Sequence, residues 1–263
     1  MGRFAVILPA AGRSTRFGDP KTKKIYAELR GRSVWLRALQ PFLNNDEVGQ
    51  VIVAIAEEDR EMFDRRYRDN VAFLGLDVLV GGAERADTVA AALDRVKGSC
   101  DFVAIHDAAR PCITPAQVSA VFEVALKTGA AMLATPVAET IKRVEEGVIV
   151  GTVPRDRLYL AQTPQVFRRD WLAEAYEKRD PAVAATDDSL LVEAIGRSVA
   201  IVAGSPFNLK ITTKDDLRLA DAILTVLEQE DEARSCRGGH PFADEEGRWE
   251  DLPKLRASDL FNF

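Results

Sequence analysis

The chain has 263 residues, 47% of them hydrophobic, enough for one sizeable core or a core with an appendage. Its formal net charge of −6 argues against a general nucleic-acid binder. Three widely spaced cysteines and two histidines argue against a disulfide framework, a structural zinc site and a His-rich metal site.

The first residues run straight into a strand without signal-peptide architecture, and no apolar run approaches the ~20 residues of a membrane span. A soluble cytoplasmic protein is expected, with neither a membrane nor a nucleic acid as partner. Charge is unevenly spread. Residues 13–37 hold eight Lys and Arg against Asp19 and Glu28, whereas residues 228–263 hold ten Asp and Glu against five Lys and Arg. A basic patch on an acidic protein suits a small anionic ligand.

In chain order, the apolar run Phe4–Leu8 reads as a buried strand that stops at Pro9. Ala10, Ala11 and Gly12 follow, then Arg13, Arg16, Lys21, Lys23 and Lys24. Small residues let backbone N–H groups approach a polyphosphate, and the cations neutralise it. The segment is neither a Walker A loop nor a Rossmann fingerprint, and an ordinary turn with solvated charges stays open. Ser33 is the expected cap of a helix over Val34–Leu43. Further strands are expected at Val51–Ile55, Val78–Val80, Phe102–His106, Ala131–Thr135, Val199–Val202 and Leu209–Thr212. Thr114-Pro115 opens a helix over Ala116–Lys127, and Thr213 opens one over Lys214–Glu228. This alternation predicts an α/β fold: a mostly parallel, Rossmann-like sheet with helices on both faces. Ligands then bind where the strands end, in the loops at their carboxyl edge.

Glu139–Val144 and Val148–Val153, around Glu145-Glu146-Gly147, read as a β-hairpin with little core of its own. It is expected to project as an arm over 139–160 and to pack on a second subunit, the alternative being an edge hairpin of the main sheet. Residues 1–228 make the main domain. Residues 229–263 make an acidic C-terminal extension, with Gly238-Gly239-His240-Pro241, Trp249, Phe261 and Phe263.

Two further loops carry chemistry. In His106-Asp107-Ala108-Ala109-Arg110-Pro111, Asp107 can hold Mg²⁺ or a sugar hydroxyl, and Arg110 can hold phosphate or brace the loop. His106 is read as a packed strand-end residue rather than a base, since no carboxylate–His–nucleophile pattern is visible. In Gly81–Thr88, two glycines let the backbone read a planar ring, while Asp87 and Thr88 add contacts or cap a helix. Lys210, alone on an apolar strand, points to an anionic partner. Thr163-Pro164-Gln165 reads as a turn after a strand, and Thr186-Asp187-Asp188-Ser189 as a helix N-terminus.

This ordered set resembles the nucleotidyltransferases with a glycosyltransferase-like fold, and within them the 2-C-methyl-D-erythritol 4-phosphate cytidylyltransferase family. The matching pieces are Pro9–Gly12 with Arg16, Gly81-Gly82 with Glu84-Arg85 and Asp87-Thr88, and His106–Pro111. They continue with Pro136-Val137, Thr140, Lys142, Arg155, Thr163–Gln165, Thr186-Asp187 and Asn208–Lys210. The resemblance covers residues 4 to about 225. It implies a homodimer built through the arm, and CMP transfer from CTP to a polyol phosphate with Mg²⁺ or another divalent cation. It implies that Arg16 and Lys24 are catalytic, and that Ala10, Ala11, Gly12, Gly82, Asp87, Thr88 and Lys210 bind the nucleotide. Asp107, Arg110, Thr140, Arg155, Thr163 and Thr186 would hold the second substrate, with Asp107 near the metal. The family's Pro-Lys-Gln is replaced by Pro20-Lys21-Thr22-Lys23-Lys24. The downstream Tyr26, Leu29 and Gly31 favour Lys24 as the catalytic lysine and imply a small insertion, with Lys21 open. Ribitol 5-phosphate cytidylyltransferases share most of these motifs, and a catalytically silent nucleotide-binding protein is the alternative from another class.

Overall fold

A computed structural model describes residues 3–18, 22–180 and 185–238, with side chains up to residue 233. Lys21, His240, Trp249, Phe261 and Phe263 lie outside the described residues. Contacts divide the chain into two units, Met1–Ile223 and Leu224–Phe263.

The first unit contains β1 (Phe4–Ala10), β2 (Glu28–Leu29), β3 (Arg32–Ser33), α1 (Val34–Leu43), β4 (Val48–Ile55), α2 (Arg60–Leu74), β5 (Asp77–Val80), α3 (Arg85–Leu93) and β6 (Phe102–Ile105). There follow α4 (Pro115–Thr128), β7 (Ala130–Pro136), β8 (Ile141–Glu145), β9 (Val148–Val153), β10 (Tyr159–Arg168), α5 (Arg169–Glu177), α6 (Asp188–Ala194) and β11 (Ala200–Ala203). α7 (Lys214–Gly238) starts in the first unit; its stretch from Leu224 to Gly238 is the described part of the second.

The strands form a seven-stranded sheet in the order β11-β7-β10-β6-β1-β4-β5. β1 pairs parallel with β4 and β6, β4 with β5, and β7 with β11. β10 is the reversed strand, antiparallel to both β6 and β7. The others therefore end at one shared edge. Alternate residues of β1 face opposite layers, as the two-residue period of a strand requires. Val6 and Leu8 pack with Trp35, Phe42 and Phe122, whereas Ile7 packs with Ile52, Ile105 and Leu172. Helices cover both faces for that reason, and the expected α/β architecture stands.

Thr114 caps α4 by accepting from the Gln117 amide at 3.3 Å, with Pro115 in the first turn. Thr213 and Asp216 cap the start of α7 reciprocally. Ser33 precedes α1 as expected but makes no cap bond; its hydroxyl lies 2.6 Å from that of Tyr67.

Two expectations are corrected. Leu209–Thr212 is a loop, not a strand, because its backbone is bonded to other loops: Ile211 N donates to Ala109 O at 2.8 Å. Thr163-Pro164-Gln165 is not a turn after a strand but lies inside β10, where the register with β7 shifts between Ala161 and Gln165. The polar Gln162, Thr163 and Gln165 had disguised this strand, although all three are buried. β8 and β9 pair with each other in a separate two-stranded sheet, so the hairpin is an arm rather than an edge of the main sheet. Its two ends, Pro136 and Tyr159, lie opposite each other. The arm thus leaves and returns at the edge where the parallel strands end.

Phe122 is fully buried, and its ring stacks on Phe4 at 3.9 Å between centroids. Phe122→Ala is expected to cost about 3–5 kcal/mol of stability, through lost burial and the cavity left behind. A lowered urea midpoint at unchanged slope would register it.

Candidate functional site

Four parallel strands, β6, β1, β4 and β5, end side by side, and the loops that leave them line one cleft of about 590 Å³. The strand order reverses at β1, which lies between β4 and β6, so the cleft sits at a topological switch point. Of the expected residues, Ala10, Ala11, Gly12, Lys24, Gly82, Thr88, Asp107 and Lys210 line it, together with Arg13, Ser14 and Arg85.

The small residues are required by space. A Cβ on Gly81 would meet the Thr88 Oγ1 at 2.7 Å and the Ala11 Cβ at 2.9 Å. A Cβ on Gly82 would meet that of Asp87 at 2.5 Å. Nothing lies within 4 Å of a Cβ built on Gly12, which leaves room at the cleft for a ligand.

Asp107 forms the charged floor. Its Oδ2 lies 2.7 Å from Lys210 Nζ and 3.7 Å from Arg110 Nε, and its Oδ1 lies 3.6 Å from Arg85 Nε. Burial works to raise its pKa, but Lys210, Arg85 and Arg110 outweigh it and hold the carboxyl well below its ordinary range. Arg110 lies behind the cleft and is a brace: its guanidinium donates to Asn208 O at 2.7 Å and to Ala161 O at 3.4 Å. Burial lowers its pKa, with Asp107 opposing.

Lys24 follows Lys23 into a short 3₁₀ turn, and the two side chains have different partners. Lys23 Nζ pairs with Glu58 and Asp59, both at 2.8 Å. Lys24 Nζ donates to the neutral Ile211 carbonyl at 2.8 Å. Burial lowers the Lys24 pKa, and Lys210 and Arg16 add to this against Asp107 and Asp216. Arg16 is exposed on its own 3₁₀ turn, outside the cleft lining but near enough for Lys24 to feel its charge.

Other expected residues stand elsewhere. Asp87 caps α3, accepting from Glu84 N at 3.3 Å, and pairs with Arg179 at 2.6 Å. Thr163 is buried; its hydroxyl accepts from Asp107 N at 3.0 Å and contacts His106 Nδ1 at 3.1 Å. Thr186 is exposed just before α6, and Thr140 and Arg155 are exposed on the arm, where Arg155 donates to Ala138 O. Sequence reasoning gave no role to Arg85 or Asp188, which the structure joins at 2.7 Å. Asp188 had read as an acidic first-turn residue, and only its complete burial distinguishes it.

Among the described residues, no three His, Cys, Asp or Glu side chains gather as a metal-binding group. The chain itself offers a divalent ion chiefly Asp107, and Lys210 already sits on one of its oxygens. The described residues alone do not supply a closed metal site.

A small-residue loop, a paired-glycine turn and two lysines at a sheet's switch point suit a nucleotide's phosphates, as in a nucleotidyltransferase. The family model described as 2-C-methyl-D-erythritol 4-phosphate cytidylyltransferase matches residues 4–226. The protein of that name from Rhodopirellula baltica is 41% identical over 235 residues, 84% of this chain and 94% of its own. That from Bacillus mycoides is 38% identical over 85% of this chain and 98% of its own. The crystal structure of the Thermus thermophilus protein of the same name superposes with a TM-score of 0.68 at 33% identity, over 84% of this chain and 98% of that one. The chain belongs to the 2-C-methyl-D-erythritol 4-phosphate cytidylyltransferase family.

His106 is fully buried, and burial pushes its pKa down to about 4. It is neutral at pH 7. Thr163 Oγ1 receives the Asp107 amide, so its proton goes to His106 Nδ1, and His106 Nε2–H then faces Arg110 O at 3.2 Å. Because the folded pKa lies below the unfolded ~6.5, the group's contribution to stability is complete above pH ~6.5 and is lost as pH falls toward 4. Comparing urea midpoints at pH 7 and pH 4.5, His106→Gln should remove a pH-dependent loss of about 2 kcal/mol.

Proposed function

We propose that this chain transfers the CMP group of CTP to 2-C-methyl-D-erythritol 4-phosphate, giving 4-diphosphocytidyl-2-C-methyl-D-erythritol and pyrophosphate in non-mevalonate isoprenoid biosynthesis. The observation that carries this is the cleft itself: Ala10–Gly12 on one side, Gly81–Gly82 beside it, and Lys24 and Lys210 converging across it.

In the reaction, an oxygen of the polyol phosphate attacks the α-phosphorus of CTP. The bond from that phosphorus to the bridging oxygen breaks, and pyrophosphate leaves with the electron pair. Charge grows on the phosphorus oxygens and on the leaving group, and positioned cations stabilise both without covalent catalysis. Lys24 and Arg16 take that role, and Lys210 reaches the phosphates. The Lys24 environment supports this. Burial and like charges already disfavour its ammonium, so an arriving anion is the partner that restores it. The backbone at Ala10–Gly12 receives the nucleotide, while Gly82 and Thr88 form the slot for cytosine and ribose, with Asp87 fixing the helix start below. Asp107 faces the polyol phosphate, and Arg110 and Thr163 keep it there. Mg²⁺ enters on the triphosphate as part of the substrate, since phosphate oxygens complete what the chain's carboxylates do not.

The working unit is a homodimer. Val144, Val148, Ile149 and Val150 of the arm are exposed apolar residues on a two-stranded sheet, and a second copy would cover them. Thr140 and Arg155 would then reach the polyol phosphate of the partner subunit, with Thr186 at its margin. The cytoplasm, where thiols stay reduced, is the compartment proposed.

Pyrophosphate release with CTP and Mg²⁺ tests the assignment, with methylerythritol phosphate and ribitol 5-phosphate offered side by side. Turnover with the first alone is expected. Turnover with ribitol phosphate instead would replace the acceptor, and silence with both would favour a binding protein. Under the same assay, Lys24→Ala should lower kcat by about 10²–10³-fold, the usual loss for a group that stabilises transition-state charge. Lys23→Ala and Lys21→Ala should stay within about tenfold of the parent. A dead Lys21→Ala beside an active Lys24→Ala would reverse the lysine assignment.

A further inference from the structure

We propose that Arg85 and Asp188 are positioning residues that fix the Asp107 carboxylate for the polyol phosphate. The proposal rests on the reading of Asp107 as the group that faces that substrate.

The contacts close into a ring. Arg85 stands at the first position of α3 and lines the cleft. Its Nε faces Asp107 Oδ1 at 3.6 Å, and its Nη2 donates to Asp188 Oδ2 at 2.7 Å. Asp188 is completely buried, and its other oxygen accepts from the Tyr176 hydroxyl at 2.6 Å. The start of α6 is held in turn by Gln165, whose Oε1 accepts from Asp188 N at 3.1 Å and Ser189 N at 3.0 Å. Gln165 lies on β10 two residues after Thr163, and Thr163 accepts from Asp107 N. One strand therefore anchors Asp107 twice: through its backbone by Thr163, and through its side chain by Gln165, Asp188 and Arg85.

The chemistry explains why both ends are needed. Oδ2 of Asp107 already has Lys210 and Arg110 beside it, and Arg85 is the cation on the Oδ1 side. Without Arg85 the carboxylate can rotate toward Lys210 and turn away from its substrate. A guanidinium between two carboxylates would swing to whichever is free. Asp188 holds its Nη2 end from within the core, so the Nε edge is what remains for Asp107. Burial works against the charge of Arg85, but the two carboxylates outweigh it and keep the guanidinium ionised. Lysine can replace it only in part, since a single ammonium lacks the planar fork that spans both partners.

Steady-state kinetics on the full chain test this, at a temperature where circular dichroism shows every variant folded. Arg85→Gln is expected to raise KM for methylerythritol phosphate about tenfold or more while KM for CTP stays within about twofold. Asp188→Asn should give the same split. The double variant should be no worse than Arg85→Gln alone, because Asp188 acts through Arg85. Arg85→Lys, which keeps the charge and stands in if Asp188→Asn fails to fold, should retain the split in weakened form. Equal losses toward both substrates, or additive losses in the double variant, would overturn the proposal. Asp107→Asn is run alongside. If it leaves KM for the polyol phosphate unchanged, the reading of Asp107 fails and this inference falls with it. If Asp107→Asn shows the split while Arg85→Gln does not, the positioning role alone is wrong.

Discussion

A carboxylate buried among cations organises this molecule. Burial would neutralise Asp107, and leaving such a charge without partners costs about 3–5 kcal/mol. It stays ionised because Lys210, Arg85 and Arg110 approach it from three different parts of the chain. Each cation is itself fixed by the fold. Arg110 is held by the carbonyls of Asn208 and Ala161, and Arg85 by the buried Asp188. Lys210 rides on a loop whose Ile211 amide is bonded to Ala109. The central strands bring these pieces to one edge, and the charge cluster gives that edge a single arrangement.

The same cluster separates two kinds of positive charge. Arg85 and Arg110 are committed to structure: Arg85 donates to Asp188, Arg110 donates to the carbonyls of Asn208 and Ala161, and both lie beside Asp107. Lys24 is bonded to a carbonyl, and burial, with Lys210 and Arg16 adding to it, disfavours its charge. A polyphosphate entering the cleft would reverse that sign. The net charge is −6, so this local arrangement, and not a general excess of cations, is what would favour an anion.

Much of this was legible in the sequence, for physical reasons. β1, β4 and β6 are buried on both faces and read as unbroken apolar runs, and the caps of α4 and α7 are local hydrogen bonds between near neighbours. The cleft residues at Ala10–Gly12, Gly82 and Asp107 follow from the strands that end there, whereas Lys24 rests on the family resemblance and Lys210 on an apolar run that is a loop. What stayed hidden depends on distant partners. β10 carries buried polar residues because they hold loops, so its pattern resembles a turn. Leu209–Thr212 looks like a strand because it is apolar, yet its hydrogen bonds go to loops. Nothing local tells that Asp188 is buried, since an acidic residue in a first turn normally serves the helix dipole in water. Its partner Arg85 lies 103 positions away.

The neighbouring lysines show how little sequence distance is needed for opposite fates. Lys23 and Lys24 are adjacent, so extended backbone at Lys23 followed by a tight turn sends their side chains to different sides. Lys23 meets Glu58 and Asp59 at the start of α2, and Tyr26 OH adds a bond to Asp59 at 3.1 Å. Burial would lower the Lys23 pKa, but these two carboxylates raise it overall, the reverse of the outcome at Lys24. The acidic pair therefore does two things at once. It anchors the segment that follows the cationic loop, and it consumes the positive charge that would otherwise compete with Lys24 for an incoming anion. A basic run that looks uniform in the sequence is divided by the fold into an anchor and a free charge, and the free charge is the one that faces the cleft.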